Sequence, residues 1–378
     1  MSKSGNPTLT AALRGAVALP TLFDPLQLGA ITAPNRILMA PMTRTRATRE
    51  HVPTPEMGEY YAQRASAGLI IAEATGVSRK GLGFPYAPGL YTKEQAAGWK
   101  QVVRRVHDAG GRIFAQLWHQ GRVAHPSFWG GGEPLSASAT LAEGRAHTYE
   151  GRQPYVRARE MTIAEIRDVV REFAHAAENA MEAGFDGVQL HAANGYLIDQ
   201  FLRDSSNLRT DEYGGSIENR IRFLIEIADA VCKVAGADRT AVRLSPNGGD
   251  QGVDDSHQDA LFTAAAAALA PKGLAFLELR DVGPHGTFGS STRLQVAPLI
   301  RRVFTGPLIL NSDYTPITGQ YNLDIGLADA ISWGRGFIAN PDLPRRFAEH
   351  LELATSEMSC WYGAGPGTAG YTDFPAAP

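Results

Sequence analysis

The sequence predicts a single (β/α)8 barrel of the α/β class, and three observations carry that expectation. Eight short, nearly continuous apolar runs recur along the chain, of the kind that a parallel sheet buried on both faces requires. Segments with helical apolar spacing separate them, and several of these close on a glycine, a common stop signal. The chain has 378 residues, 44% of them hydrophobic and 20% charged, which is ample core for a barrel. Barrels of about 250 residues or more are ordinary as single units.

Residues 1–22 read as an N-terminal extension, expected to be flexible. Its apolar run is short and interrupted by Arg14, too little for a membrane span, and we read it as no secretory signal. The stretch FDPLQLGAITAPNRI (23–37) reads as a hairpin that caps the bottom of the barrel ahead of the first strand. Strands are then expected at 36–42, 68–77, 112–119, 185–191, 240–246, 274–281, 307–313 and 329–334. Helical spacing runs through 55–68, 94–110 and 161–184, with Gly68, Gly110 and Gly184 as stops. The stretch 125–160 is rich in Gly, Pro, Ser and Ala and too long for an ordinary connection, so it is expected as an excursion over the catalytic face. The barrel is set at 23–350, and the glycine-rich, aromatic tail 351–378 is expected to dock on it.

Bulk properties narrow the function. A net charge of −3 leaves no electrostatic footprint for nucleic acid or an anionic membrane. Cys232 and Cys360 stand far apart, which argues against a disulfide scaffold, a zinc site and an iron–sulfur cluster. A reducing compartment, the cytoplasm, is the expected location.

Working residues in such barrels sit at the carboxyl ends of strands. Here those ends carry Pro41, Met42 and Thr43, then Ala74, Gln116 and Trp118, then His191, Asn194 and Tyr196, then Arg243, Ser312, Asp313, Gly334 and Arg335. The set holds no thiol nucleophile, no paired carboxylates and no metal cluster, so it suits a bound organic cofactor better than hydrolysis. Gln116 offers donor and acceptor to a heterocyclic edge, such as a flavin pyrimidine ring. Arg243 would place a fixed positive charge where a flavin becomes anionic on reduction. Thr43 would donate to a ring oxygen, and the amides at Ser312–Asp313 and Gly334–Arg335 sit where such barrels hold phosphate, with Arg335 adding charge.

Each residue also has a plain reading. Arg243 would serve as an ion-pair partner inside the barrel mouth, Gln116 as a satisfied polar residue, Trp118 as packing, and His191 as a backbone hydrogen-bond partner. His119 and His125 read as structural. In GGSIENR (214–220), Ser216 reads as a helix N-cap with Asn219 at N3, and Arg220 needs a carboxylate such as Asp211 or Glu218. The weight lies in the coincidence at one rim, above all in HAANGYLIDQFLRDSSNLRTDEYGGSIENR (191–220), which follows the strand pattern FDGVQLH.

Together with FDPLQLGAITAPNRILMAPMTR, PTPEMGEYYAQRASAGLIIAEAT, AQLWHQGR, GRGFIANPDL and GYTDFP, that stretch resembles the Old Yellow Enzyme family from about Phe23 to Pro375. The resemblance implies non-covalent FMN, reduced by NADPH or NADH. It implies FMN contacts at Pro41, Met42, Thr43, Ala74, Gln116, Arg243, Ser312, Asp313, Gly334 and Arg335. It implies that His191 and Asn194 bind the carbonyl or nitro oxygen of an activated alkene, and that Tyr196 protonates the α-carbon after hydride reaches the β-carbon. Nicotinamide and alkene would share one pocket in turn, giving ping-pong kinetics. Trp118, Phe84 and Tyr362 would line the substrate side.

Three positions depart from parts of the family pattern. Asn194 stands where other members have His, Phe84 stands where several have Tyr (with Tyr86 nearby), and Ser312–Asp313 replaces a glycine-containing turn. Asp313 would repel phosphate unless its side chain turns away. The expected function is that of an ene-reductase for α,β-unsaturated carbonyl compounds, monomeric or dimeric, with a nitro or nitrate-ester reductase and a non-catalytic FMN-binding protein as alternatives. A 2,4-dienoyl-CoA-type reductase would need an iron–sulfur cluster and a further flavin domain, which two cysteines in 378 residues are not expected to supply. A Rossmann reductase lacks its G-x-G-x-x-G here.

Overall fold

A computed structural model describes residues 19–287 and 289–378; most of the extension expected at 1–22 lies outside them. The hairpin of β1 (Leu26–Leu28) and β2 (Ile31–Ala33) comes first, followed by the barrel strands β3 (Ile37–Met39), β4 (Ile70–Gly76) and β5 (Ile113–Trp118). The excursion supplies β6 (Leu135–Ser136), β7 (Arg145–Thr148), β8 (Gly151–Pro154) and β9 (Arg159–Glu160). The barrel then resumes with β10 (Gly187–Ala192), β11 (Thr240–Leu244), β12 (Phe276–Arg280), β13 (Leu308–Asn311) and β14 (Ala330–Trp333). The eight barrel strands close in parallel, β14 pairing with β3 and β5 with β10. Seven fall inside their expected ranges and β10 runs one residue past its own, to Ala192, as the uninterrupted apolar runs require of strands covered on both faces.

The helices are α1 (Pro55–Ala62), α2 (Lys93–Asp108), α3 (Ile163–Ala183), α4 (Leu197–Leu202), α5 (Ile217–Ala235), α6 (Gln258–Leu269), α7 (Ala297–Val303), α8 (Pro316–Asp324), α9 (Arg335–Ala339) and α10 (Leu343–Ala348). Thr92 and Thr162 open α2 and α3 with capping boxes, completed by Gln95 and Glu165. Gly184 closes α3 in the left-handed conformation. Gly68 does not stop a helix as expected: α1 ends at Ala62, and a Cβ on Gly68 would lie 2.1 Å from the carbonyl oxygen of Asn35. It is a close-approach glycine under the barrel. Ser216 caps α5, accepting from the Asn219 N–H, but Arg220 pairs with Asp255 and the Leu202 carbonyl rather than with Asp211 or Glu218. The tertiary fold brings a carboxylate from the loop before α6 onto that cation.

Two-residue alternation sets the barrel interior. Leu38, Ile71, Phe114, Ala241, Phe276, Ile309 and Ala330 form one apolar layer with Leu28, Ile31 and Ala33, so the hairpin seals the bottom. Two residues further along their strands stand Gln116, Arg243, Glu278, Asn311 and Ser332, which are polar and buried. The barrel is therefore dry below and polar above, and this gradient points its chemistry to the carboxyl end.

The excursion contributes the antiparallel pair β7–β8 and the short parallel pair β6–β9. At the C-terminal tail the Arg44 guanidinium donates to the carbonyls of Cys360, Trp361 and Gly370 at 2.7–2.9 Å, and it stacks on Tyr60 and Tyr371. Among the described residues no helix is long and apolar enough to cross a membrane.

Candidate active site

A cavity of about 620 Å3 opens at the carboxyl ends of the barrel strands. Its wall takes Pro41, Met42 and Thr43 from the segment after β3, Ala74 from β4, Gln116 from β5 and Arg243 from β11. Ser312 and Asp313 enter after β13, Gly334 and Arg335 after β14, and Tyr362 from the tail. Glu73 supports the first group: its buried carboxylate accepts the backbone N–H groups of Arg44 and Thr45 and the Tyr61 hydroxyl.

The floor is one connected polar network. The Glu278 carboxylate accepts from Gln189 Nε2 at 2.8 Å and from Ser332 at 2.5 Å, and it lies 2.6 Å from the Arg243 guanidinium. Gln189 Oε1 in turn accepts from Gln116 Nε2 at 2.8 Å. Because an ionised carboxylate only accepts, this relay fixes both amides, leaving Gln116 its Oε1 and second N–H for the cavity. Arg243 also donates to Asn311 at 2.7 Å. Arg243 is thus an ion-pair partner that also lines the cavity. A cation neutralised by a fully buried Glu278 can be held in place without filling the cavity with counterions.

One side is built by the turn after β10. His191 is the penultimate residue of β10, Asn194 adopts a left-handed φ of +57°, and Tyr196 stands at the N-cap position of α4. Asparagine tolerates that conformation better than most residues. The Asn194 N–H is received by Ser245 Oγ at 2.7 Å and the Gly195 N–H by Asp199 at 2.9 Å. A Cβ on Gly195 would lie 2.5 Å from the Asp250 carbonyl oxygen, so glycine lets the loop after β11 close over the turn. Asp199 and Arg203 form a fully buried ion pair at 2.8 Å beneath it. Removing one partner strands the other charge, so Arg203→Ala is expected to cost about 3–5 kcal/mol of stability, read as a lowered urea midpoint.

The Tyr196 ring meets His191 edge-on at 4.9 Å and Trp118 edge-on at 5.1 Å. Trp118, expected on the substrate side, is buried and packs against both Tyr196 and Phe84. Burial first, then the nearby Arg243 and Arg280 charges, holds His191 well below the ordinary imidazole range, so it is neutral. Burial also raises Tyr196 above the ordinary phenol range, so it keeps its proton. His191 Nδ1 is buried without a protein partner, the kind of atom a ligand satisfies. His119 receives the Gly121 N–H and His125 bonds Ser127.

At the rim Phe84 stacks with His147 of β7 at 5.4 Å and with Tyr362 at 6.5 Å. At the opposite end the Asp313 carboxylate is engaged by Thr287 and by Arg335. Its charge is thereby answered inside the protein, which meets the repulsion expected at this position. The residues that sequence reasoning passed over are Gln189 and Glu278 in the floor, and Arg280, Asp250 and Gln251 on the wall beside Asn194. Arg280 ends β12, so the same strand-end rule that found the others would have found it.

The description NADH:flavin oxidoreductase / NADH oxidase family matches residues 21–354. The solved Old Yellow Enzyme homologue from Zymomonas mobilis is 54% identical and superposes with a TM-score of 0.93, over 95% of this chain and 100% of that one. The chain belongs to the Old Yellow Enzyme family. Morphinone reductase in complex with tetrahydroNAD is 43% identical, with a TM-score of 0.89 over 95% of this chain and 98% of that one. Flavin oxidoreductase hxnT of Emericella nidulans is 41% identical over 385 aligned residues, covering 95% of this chain and 98% of the relative. The protein is thus an oxidoreductase and an FMN flavoprotein on a (β/α)8 barrel. Its cavity fits that cofactor: a donor–acceptor amide at Gln116, a fixed guanidinium at Arg243 and, at the other end, Arg335 paired with Asp313 line one continuous space.

Proposed function

We propose that this Old Yellow Enzyme reduces the C=C bond of α,β-unsaturated carbonyl compounds, with a nicotinamide as reductant. The observation that carries the reading is the convergence of His191, Asn194 and the protonated Tyr196 on one wall of a cavity floored by Gln116 and Arg243. The similarity to a morphinone reductase seen with tetrahydroNAD supports both the reaction class and the reductant. Non-covalent FMN would be held by Pro41, Met42, Thr43, Ala74, Gln116 and Arg243, with Ser312, Asp313, Gly334 and Arg335 at its phosphate end. When bound, FMN supplies hydride taken from the nicotinamide. His191 and Asn194 donate to the carbonyl oxygen of the alkene and stabilise the enolate charge that develops there. Tyr196 delivers its hydroxyl proton to the α-carbon. Phe84 and Tyr362 shape the mouth. A nitro oxygen would be received by the same pair of donors.

Neutral His191 has a consequence for pH. With its folded pKa held down, the imidazole does not gain a proton between pH 6 and 8. The kcat/KM for 2-cyclohexenone is therefore expected to show no step near the ordinary histidine pKa of about 6.5 in that range. Stopped-flow reoxidation of the reduced protein checks this, and a step there would show that His191 titrates.

The functional test is an anaerobic visible spectrum of the purified protein, reduced with NADPH or NADH and then given 2-cyclohexenone. Bleaching of the flavin band followed by its return is the expected result. A protein that bleaches and stays reduced when given the enone would be a flavoprotein without the proposed activity.

A further inference from the structure

We propose that Arg280 is a positioning residue that holds the Asn194 amide with its nitrogen toward the substrate oxygen; the inference rests on the oxygen-binding reading of Asn194. Arg280 is the last residue of β12, and its side chain is buried against the wall of the cavity. Its Nη1 donates to Asn194 Oδ1 at 3.1 Å, and the same group is paired with Asp250 from the loop after β11. A carboxamide has nearly the same shape either way round, so packing alone does not decide which atom faces the substrate. A guanidinium decides it, because it has donors and no acceptor. Only the amide oxygen can face Arg280, and the Nδ2 donor is turned to the other side.

The turned-over amide would be wrong at both ends. Its N–H would face the N–H of Arg280, and its oxygen would face the oxygen of the substrate. Asn194 cannot move away to avoid the choice, because its backbone N–H is held by Ser245 and Gly195 is covered by the Asp250 carbonyl. Arg280 is held in turn by its ion pair with Asp250. A cation on the amide oxygen also draws charge through the amide and makes its N–H a stronger donor. Asparagine at position 194 thus comes with a requirement, namely a neighbour that sets the amide.

The test is an equilibrium titration of the oxidised holoprotein with 4-chlorophenol, whose oxygen takes the place of the substrate carbonyl, followed by the flavin long-wavelength absorbance. Arg280→Met is expected to weaken binding about tenfold, and Arg280→Lys, which keeps a donor-only head, to stay within about threefold of the parent. In an Asn194→Ala background the same Arg280→Met change is expected to add less than about twofold, because there is no amide left to orient. Arg280→Gln reads the same cycle if the Met variant does not accumulate as holoprotein, since its own amide can face Asn194 either way. Unchanged phenol affinity in these Arg280 variants, or an equal loss with and without Asn194, would overturn the inference while leaving the site assignment standing. Unchanged affinity in Asn194→Ala alone would instead remove the oxygen-binding reading beneath it.

Discussion

Tyr196→Phe is expected to slow enone reduction by about 10²–10³-fold, within the usual range for loss of a positioned general acid. The proton must come from a group that is still protonated at neutral pH, and burial raises the Tyr196 phenol for that purpose. The ring itself should stay where it is, because its contacts with His191 and Trp118 do not involve the hydroxyl. Reduction of the flavin by the nicotinamide asks nothing of the phenol, so its rate should change by no more than about twofold. Stopped-flow measurement of the two half-reactions separates these outcomes. Equal losses in both would remove Tyr196 from the proton-donor role and make it a packing residue.

The second large effect is expected from His191→Ala combined with Asn194→Ala. Loss of a single oxyanion donor commonly costs about 10²–10³ in rate, and two donors that act on one oxygen are not additive, so about 10³-fold or somewhat more is expected. Phenol binding should weaken by about 10–100-fold, the range for hydrogen bonds to an ionised oxygen. Retention of FMN is expected, because neither residue belongs to the Gln116–Gln189–Glu278–Arg243 floor. The ratio of flavin to protein absorbance checks that point, and an unchanged phenol titration would place the oxygen elsewhere in the cavity.

The barrel was legible because its strands are covered on both faces, which leaves each an uninterrupted apolar run that periodicity can find. The strand-end rule then gathered His191, Asn194, Tyr196, Gln116 and Arg243 without knowledge of any contact between them. The same reading misjudged Gly68, because a glycine six residues past a helix looks like a stop, whereas its reason is the carbonyl of Asn35 from another segment. It misjudged the partner of Arg220 for a related reason: the carboxylates near it in the chain were visible, and Asp255 was not. Trp118 stood at a strand end like the others, and only the tertiary packing shows that its ring meets Tyr196 edge-on.

By itself, then, the sequence determined the eight-stranded barrel, the face on which its chemistry lies and the residue types gathered there, because these follow from local periodicity and from the geometry of parallel strands. The tertiary structure alone decided how those groups are oriented and charged. The Gln189–Glu278 relay under Gln116, the carboxylate of Asp313 turned onto Arg335, the neutral state of His191 and the guanidinium beside Asn194 all arise between segments far apart in the chain. Hydrogen-bond direction and desolvation depend on neighbours in space, and no spacing along a chain records them.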